Sequence, residues 1–229
     1  MKSKIVLIIL MATCPIVFQS CFYQTVQTEI IKIKGSDTML PLTTKLAEEF
    51  MRMNKGVSIY VEGGGTERGI EALLDGQTDI CTASRLLKPD EAKKLADYYQ
   101  SVGLFFLIAK DALSVFVNPQ NQVRNFTVEE LRKIFLCEIT NWKDLGGIDE
   151  PIRVVTRPPN SGTYSYFKEH ILQNSDYCSN SIVRSTNQAV INEVLQNPYS
   201  IGYGGLIYGN EVIHAEINGV TPSKQNARN

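Results

Sequence analysis

Histidine and tryptophan are nearly missing from this chain of 229 residues, which holds two of the first, His170 and His214, and one of the second. Two histidines so far apart do not make the His/Cys set of a zinc site. Cysteine is scarce as well: there are five, and none stands in a CxxC or Cys/His spacing. Neither sign of charge dominates, with 23 basic against 24 acidic residues and a net charge of −1. No basic stripe with interleaved aromatics is present, which argues against nucleic acid as a partner. Any anion bound must be held locally and not by a global positive field. Internal repeats and low-complexity linkers are absent, and no apolar run is long and unbroken enough to cross a bilayer. What remains is ordinary for a soluble globular protein, 43% hydrophobic and 21% charged. The length suits one large or two modest domains.

The first twenty residues read as an export signal. Lys2 and Lys4 form a short basic start, and Ile5 to Val17 is apolar except at Thr13, Cys14 and Pro15. The stretch Phe18-Gln19-Ser20-Cys21 places a small residue directly before a cysteine, similar to a bacterial lipoprotein processing site. Cys21 is therefore the candidate lipid attachment point; plain cleavage nearby is the alternative. Removing residues 1–20 takes away both lysines and leaves a charge of −3. Cys81, in the apolar run Asp79 to Ala83, reads as a small core residue. A Cys137–Cys178 bridge is compatible with an exported protein, but the sequence does not establish it.

Strand and helix patterns alternate from Glu29 onward. Residues 29–34 alternate like a strand, and Leu42, Leu46, Phe50 and Met53 share one face of a helix. A strand at 57–61 precedes three glycines and a helix carrying Ile70, Leu73 and Leu74; a third strand covers 78–83. Pro89 suits a first helical turn. Residues 104–109 and 113–117 are apolar and β-rich. Thr127 to Glu130 is a capping box. A strand at 152–156, a helix opened by Ser161, a helix over 186–195 and a strand at 200–203 follow. Such alternation predicts an α/β protein with mostly parallel sheets and helices on both faces.

Three strand-to-helix junctions share one chemistry: Gly35-Ser36-Asp37-Thr38, Gly63-Gly64-Gly65-Thr66, and Arg157-Pro158-Pro159-Asn160-Ser161-Gly162-Thr163. Backbone N–H groups at a helix start lack intrahelical partners, and the dipole there favours negative charge. Glycine admits an oxyanion close to the backbone, hydroxyls add donors, and Arg157 adds a charge-assisted bond. Taken singly, each is also an ordinary cap, turn or surface arginine. No Walker-type lysine follows the glycines, so nucleotide phosphate is not indicated.

Several segments, read together, resemble the phosphate-binding protein of the bacterial phosphate ABC transporter, the PstS family. They are IKIKGSDTMLPL, VEGGGTERGI, TDICTASRLL, LSVFVNP, FTVEELRKIFLCEITNWKDLGG, RPPNSGT and SIGYGGL, running in order from Ile31 to about Asn226. The resemblance implies a two-lobed, class II periplasmic-binding-protein fold with its ligand in the interlobe cleft. On that reading 1–20 is the signal peptide and 21–28 a lipidated tether. Lobe I comprises 29–112 and 201–229, apparently shortened at its end, and lobe II comprises 113–200. The matching phosphate-binding positions are Ser36, Asp37, Thr38, Gly65, Thr66, Ser84, Arg85, Arg157, Ser161, Gly162 and Thr163. Relatives carry an aspartate at the position of Arg85 that accepts the proton of hydrogen phosphate; here Asp37 is expected to accept it, with Arg85 adding positive charge. The implied function is capture of inorganic phosphate outside the inner membrane and delivery to a membrane permease. No cofactor, metal or enzymatic activity is implied. Sulfate as ligand, or a docking and sensing role for a surface lipoprotein, are the alternatives.

Overall fold

The computed structural model describes residues 28–101, 103–223 and 225–226; the signal segment and Cys21 lie outside them. The alternating run EIIKIKG forms β1 (Glu29–Gly35), and α1 (Leu40–Met53) returns the chain to β2 (Val57–Glu62), parallel to β1. Then α2 (Thr66–Leu74) leads to β3 (Ile80–Thr82) on the other side of β1, giving the order β2-β1-β3. Pro89 opens α3 (Pro89–Tyr99), where its missing N–H costs nothing.

The larger sheet gathers the rest of the chain. Its order is β7-β6-β8-β4-β9, with β4 (Leu113–Val117), β6 (Arg153–Thr156), β7 (Ile182–Val183), β8 (Ser200–Gly205) and β9 (Ile213–His214). β6 runs parallel to β7 and β8, while β4 runs antiparallel to β8 and β9. A small parallel pair joins β5 (Asn125–Phe126) to β10 (Glu216–Ile217). The helices are α4 (Val128–Phe135), α5 (Gly162–His170) and α6 (Asn187–Gln196). The box read at Thr127 is formed: its hydroxyl accepts from the Glu130 N–H at 3.1 Å, and the Glu130 carboxylate accepts from the Thr127 N–H at 2.7 Å. Phe167 stacks on Tyr203 in the main core, with Phe135 packed at an angle against both and Trp142 donating its indole N–H to the Tyr199 carbonyl. Cys137 and Cys178 are bridged.

Three expectations need correction. Residues 104–109 form no strand: they have no ladder partner among the described residues, and Leu104 is 88% exposed. Second, α1 forms, but it buries Thr43 and Ala47, while Leu46, Phe50 and Met53 stay exposed. Both follow from a thin first sheet; among described residues before 113 only Ile33, Ala47, Ile70 and Ala72 are buried hydrophobics. Third, much of the 201–229 stretch assigned to lobe I pairs elsewhere. β8 and β9 flank β4 in the larger sheet, where antiparallel pairing satisfies their backbone groups, and β10 pairs in parallel with β5.

Candidate oxyanion site

The three junctions read from the sequence converge where the two sheets face each other. β1 ends at Gly35, and the Ser36 N–H turns to Thr82 on β3, donating to its carbonyl at 2.9 Å and its hydroxyl at 3.1 Å. That turn aims Asp37 and Thr38 at the larger sheet. β2 ends in glycines whose conformation is required: Gly64 and Gly65 have φ of +119° and +103°. A Cβ at Gly65 would sit 2.7 Å from the Asn160 carbonyl oxygen. The chain then starts α2 at the fully buried Thr66. β6 ends at Thr156, directly before Arg157, and Ser161 caps α5, its hydroxyl accepting from the Tyr164 N–H.

Arg157 is the electrostatic centre, only 1% exposed. Its Nη2 donates to Asp37 Oδ2 at 2.8 Å and to the Ser185 carbonyl at 2.9 Å, and its Nη1 donates to Asn187 Oδ1 at 3.1 Å. Its Nε is buried with no partner. Burial pulls the guanidinium below its ordinary value, against the opposite pull of the Asp37 carboxylate and the Tyr203 and Tyr208 phenols. Asp37 Oδ1 accepts from the Gly64 N–H at 3.0 Å, and its backbone carbonyl accepts from the Tyr208 hydroxyl at 2.5 Å. Burial pushes Tyr208 up to about 12, so that hydroxyl remains a donor at neutral pH.

Hydroxyls line the same seam. Thr38 and Thr163 share a hydrogen bond at 2.9 Å, and Thr66 Oγ1 accepts from the Ser84 N–H at 3.2 Å. A Cβ on Gly162 would stand 2.4 Å from Ser84 Oγ and 2.6 Å from Thr66 Oγ1, so the starts of α2 and α5 nearly touch. Asn160 clasps this contact, donating to the Gly64 carbonyl at 3.1 Å and accepting from the Glu67 N–H at 3.3 Å. Opposed helix starts, hydroxyls and one buried guanidinium form a donor set suited to a tetrahedral oxyanion.

The structure thus brings together Ser36, Asp37, Thr38, Gly65, Thr66, Ser84, Arg157, Ser161, Gly162 and Thr163. Arg85 is drawn away. Its two terminal nitrogens each donate to Glu91 at 2.7 Å, so its charge is neutralised at the start of α3 and not offered to the cleft. Sequence reasoning missed Asn160, Asn187 and Tyr208. Ser185-Thr186-Asn187 is a fourth strand-to-helix junction with hydroxyls, but it lacks the glycine that marked the other three. Among the described residues, no group of three or more His, Cys, Asp or Glu could hold a metal ion. No helix among them is long and apolar enough to cross a membrane.

The PBP superfamily domain matches residues 24–221. The PstS phosphate-binding protein of Bacillus subtilis is 29% identical across 98% of this chain and 78% of its own length. That of Borreliella burgdorferi is 30% identical across 95% of this chain and 77% of its own length. Among solved structures, a Clostridium perfringens protein with bound phosphate, assigned as a phosphate ABC transporter substrate-binding protein, superposes with a TM-score of 0.80. It is 30% identical and matched over 87% of this chain and 80% of that one. With these similarities and the architecture of two sheets facing one donor-lined seam, the chain belongs to the PBP superfamily and, within it, to the PstS phosphate-binding proteins.

Proposed function

We propose that this chain is the extracytoplasmic receptor of an ABC transporter, capturing inorganic phosphate and handing it to a membrane permease. The observation that carries the reading is Arg157, a fully buried guanidinium whose Nε has no partner, held between Asp37 in the turn after β1 and Asn187 at the start of α6. Arg157 supplies charge, Ser36, Thr38, Thr66, Ser84, Ser161 and Thr163 supply hydroxyls, and Gly65 and Gly162, having no Cβ, let the anion approach the starts of α2 and α5. Asp37 accepts the proton of hydrogen phosphate. Sulfate lacks that proton and would set its oxygens against an unprotonated carboxylate. Arg85 acts at one remove, by fixing α3 through Glu91.

Residues 29–112 make one lobe and the chain from 113 makes the other, closing on the anion so that its hydrogen bonds are complete only when both face it. Residues 1–20 are a signal peptide, and Cys21 carries a lipid that tethers the protein through 21–28 to the outer side of the membrane. The protein binds and does not catalyse. Ser114 Oγ and His214 Nδ1 are hydrogen-bonded at 2.8 Å, yet Ser114 is buried on β4 and the second ring nitrogen contacts the Gly209 carbonyl. Nothing there orients the imidazole as a base towards a substrate.

Calorimetric titration of the ligand-stripped protein with phosphate and then sulfate tests the reading. One-to-one phosphate binding with little sulfate response is expected. Equal binding of both would remove Asp37 as a proton acceptor. Binding of neither by the folded protein would favour the docking role, to which the exposed run Leu104 to Ile108 already lends support.

A further inference from the structure

Asn187 is the first residue of α6, but that helix does not need it as a cap. Thr186 does that work, its hydroxyl accepting from the Ala189 N–H at 3.1 Å. Asparagine is a weak helix former and usually exposed, yet Asn187 is only 1% exposed. Its orientation is chemically determined. Oδ1 accepts from Arg157 Nη1, and a guanidinium offers donors only, so the amide oxygen and nitrogen cannot be exchanged. Gly204 backs the amide, since a Cβ there would lie 2.7 Å from Oδ1. The NH2 group consequently faces across the seam. One contact is to Thr38 Oγ1 at 3.5 Å, the outer limit of a hydrogen bond, and Thr38 is already engaged with Thr163 at 2.9 Å. The amide also bonds the Tyr208 phenol. Of the two amide N–H groups, the one towards Thr38 is thus held against a distant acceptor, beside an arginine whose Nε has none.

We infer that Asn187 is a further oxyanion-binding residue, donating an N–H to the ligand while its oxygen holds Arg157 in place; the inference rests on the phosphate reading above. It makes Asn187 a neutral contact that the second lobe adds beyond the Arg157–Thr163 segment. It also means that loss of the amide is felt twice, once as a missing donor and once as a freed guanidinium.

The test uses the full protein carrying Asn187→Ala or Asn187→Asp, titrated with inorganic phosphate and checked for folding by circular dichroism and thermal melting. Removing hydrogen bonds to a charged ligand should weaken binding by about 10- to 100-fold in the alanine variant. Asn187→Asp keeps the size and the acceptor towards Arg157 but turns a donor into an anion, and it should bind phosphate more weakly than the alanine variant. A space-filling asparagine predicts the reverse order, because the isostere would be tolerated and the cavity would not. An aspartate variant that folds and binds phosphate as well as the wild type overturns the inference. If the alanine variant does not fold, the aspartate variant alone decides. Failure of the wild type to bind phosphate would instead overturn the functional reading on which the inference rests.

Discussion

Gly162 offers the sharpest perturbation of the site, because adding one methyl group acts on closure without straining the backbone. Its φ is not in the left-handed region, and it begins a nine-residue helix, so alanine is locally acceptable and even preferred there by up to about 1 kcal/mol. Across the seam the added carbon would stand 2.4 Å from Ser84 Oγ and 2.6 Å from Thr66 Oγ1, where ordinary contact starts at 3.4 Å. The hydroxyls must therefore retreat by about 1 Å, against side chains too short to swing far and a Thr66 that is fully buried. Overpacking of this kind costs about 1–3 kcal/mol. The same displacement stretches hydrogen bonds that span the seam, such as Asn160 to Gly64, each contributing about 1 kcal/mol. Together the closed form loses about 2–4 kcal/mol, a roughly 30- to 1,000-fold weaker phosphate affinity. On the proposed two-lobe reading the clash is relieved when the lobes part, so the melting temperature without phosphate should hold or rise slightly. Calorimetric titration paired with thermal melting checks both halves. A Gly162→Ala protein that melts normally and binds phosphate like the wild type would refute the idea that α2 and α5 meet around the ligand.

Asp37→Asn should weaken phosphate by about tenfold or more, since a hydrogen bond to a charged group is lost, and should narrow the gap between phosphate and sulfate; competition titration with unchanged selectivity would contradict this. Burial alone would raise the Glu91 carboxyl, but the Arg85 guanidinium and the Lys88 N–H hold it below its usual 4.5. Its contribution to stability is therefore present above pH 4.5 and is lost as pH falls through its lowered value. The melting-temperature gap between wild type and Glu91→Gln should shrink on acidification below 4.5, and a gap constant with pH would count against the pair. The Cys137–Cys178 bridge closes a 41-residue separation. The loop-entropy model gives it about 4 kcal/mol. Reduction, or the double serine variant, should lower the melting temperature by several degrees, and no change under reductant would show the thiols to be unbridged.

Local signals carried much of the architecture. Pro89, Thr127 and Ser161 each mark the start of the helix they were read to start, because capping is decided by a few neighbouring residues. The three glycine–hydroxyl junctions were also visible; those after β1 and β2 lie together because parallel strands of one sheet deliver their helix starts to the same edge, while the third follows β6 of the other sheet and meets them across the seam. What escaped depends on partners distant in sequence or not recognisable as polar anchors. Residues 104–109 have strand composition, but a strand exists only where another edge pairs with it. The apolar stripe of α1 was legible, whereas the absence of anything packed over Leu46, Phe50 and Met53 was not. Arg85 was placed by its neighbours Ala83 and Ser84, yet its direction is set by Glu91, a buried carboxylate that outcompetes the cleft. Asn160 stood inside a recognised junction without a role of its own, and Asn187 carries neither charge nor a neighbouring glycine to mark it.

The charges that do reach the seam are paired with each other. A buried, unpaired guanidinium is strongly unfavourable, and removing one partner from a buried pair costs about 3–5 kcal/mol. Here Asp37 supplies the missing counterion at 2.8 Å, so Arg157 remains charged and folded into place. An incoming oxyanion therefore does not fall into a positive hole; it joins or displaces a carboxylate already there. Attraction must come from the unpartnered Nε of Arg157, the helix starts and the hydroxyls, which are directional and short-ranged. Geometry then outranks charge in choosing the ligand, which is how a protein of net charge −1 can be selective for an anion. On the proposed reading the same carboxylate that is counterion to Arg157 also accepts the proton of hydrogen phosphate, so one side chain serves both the stability of the site and its choice of ligand.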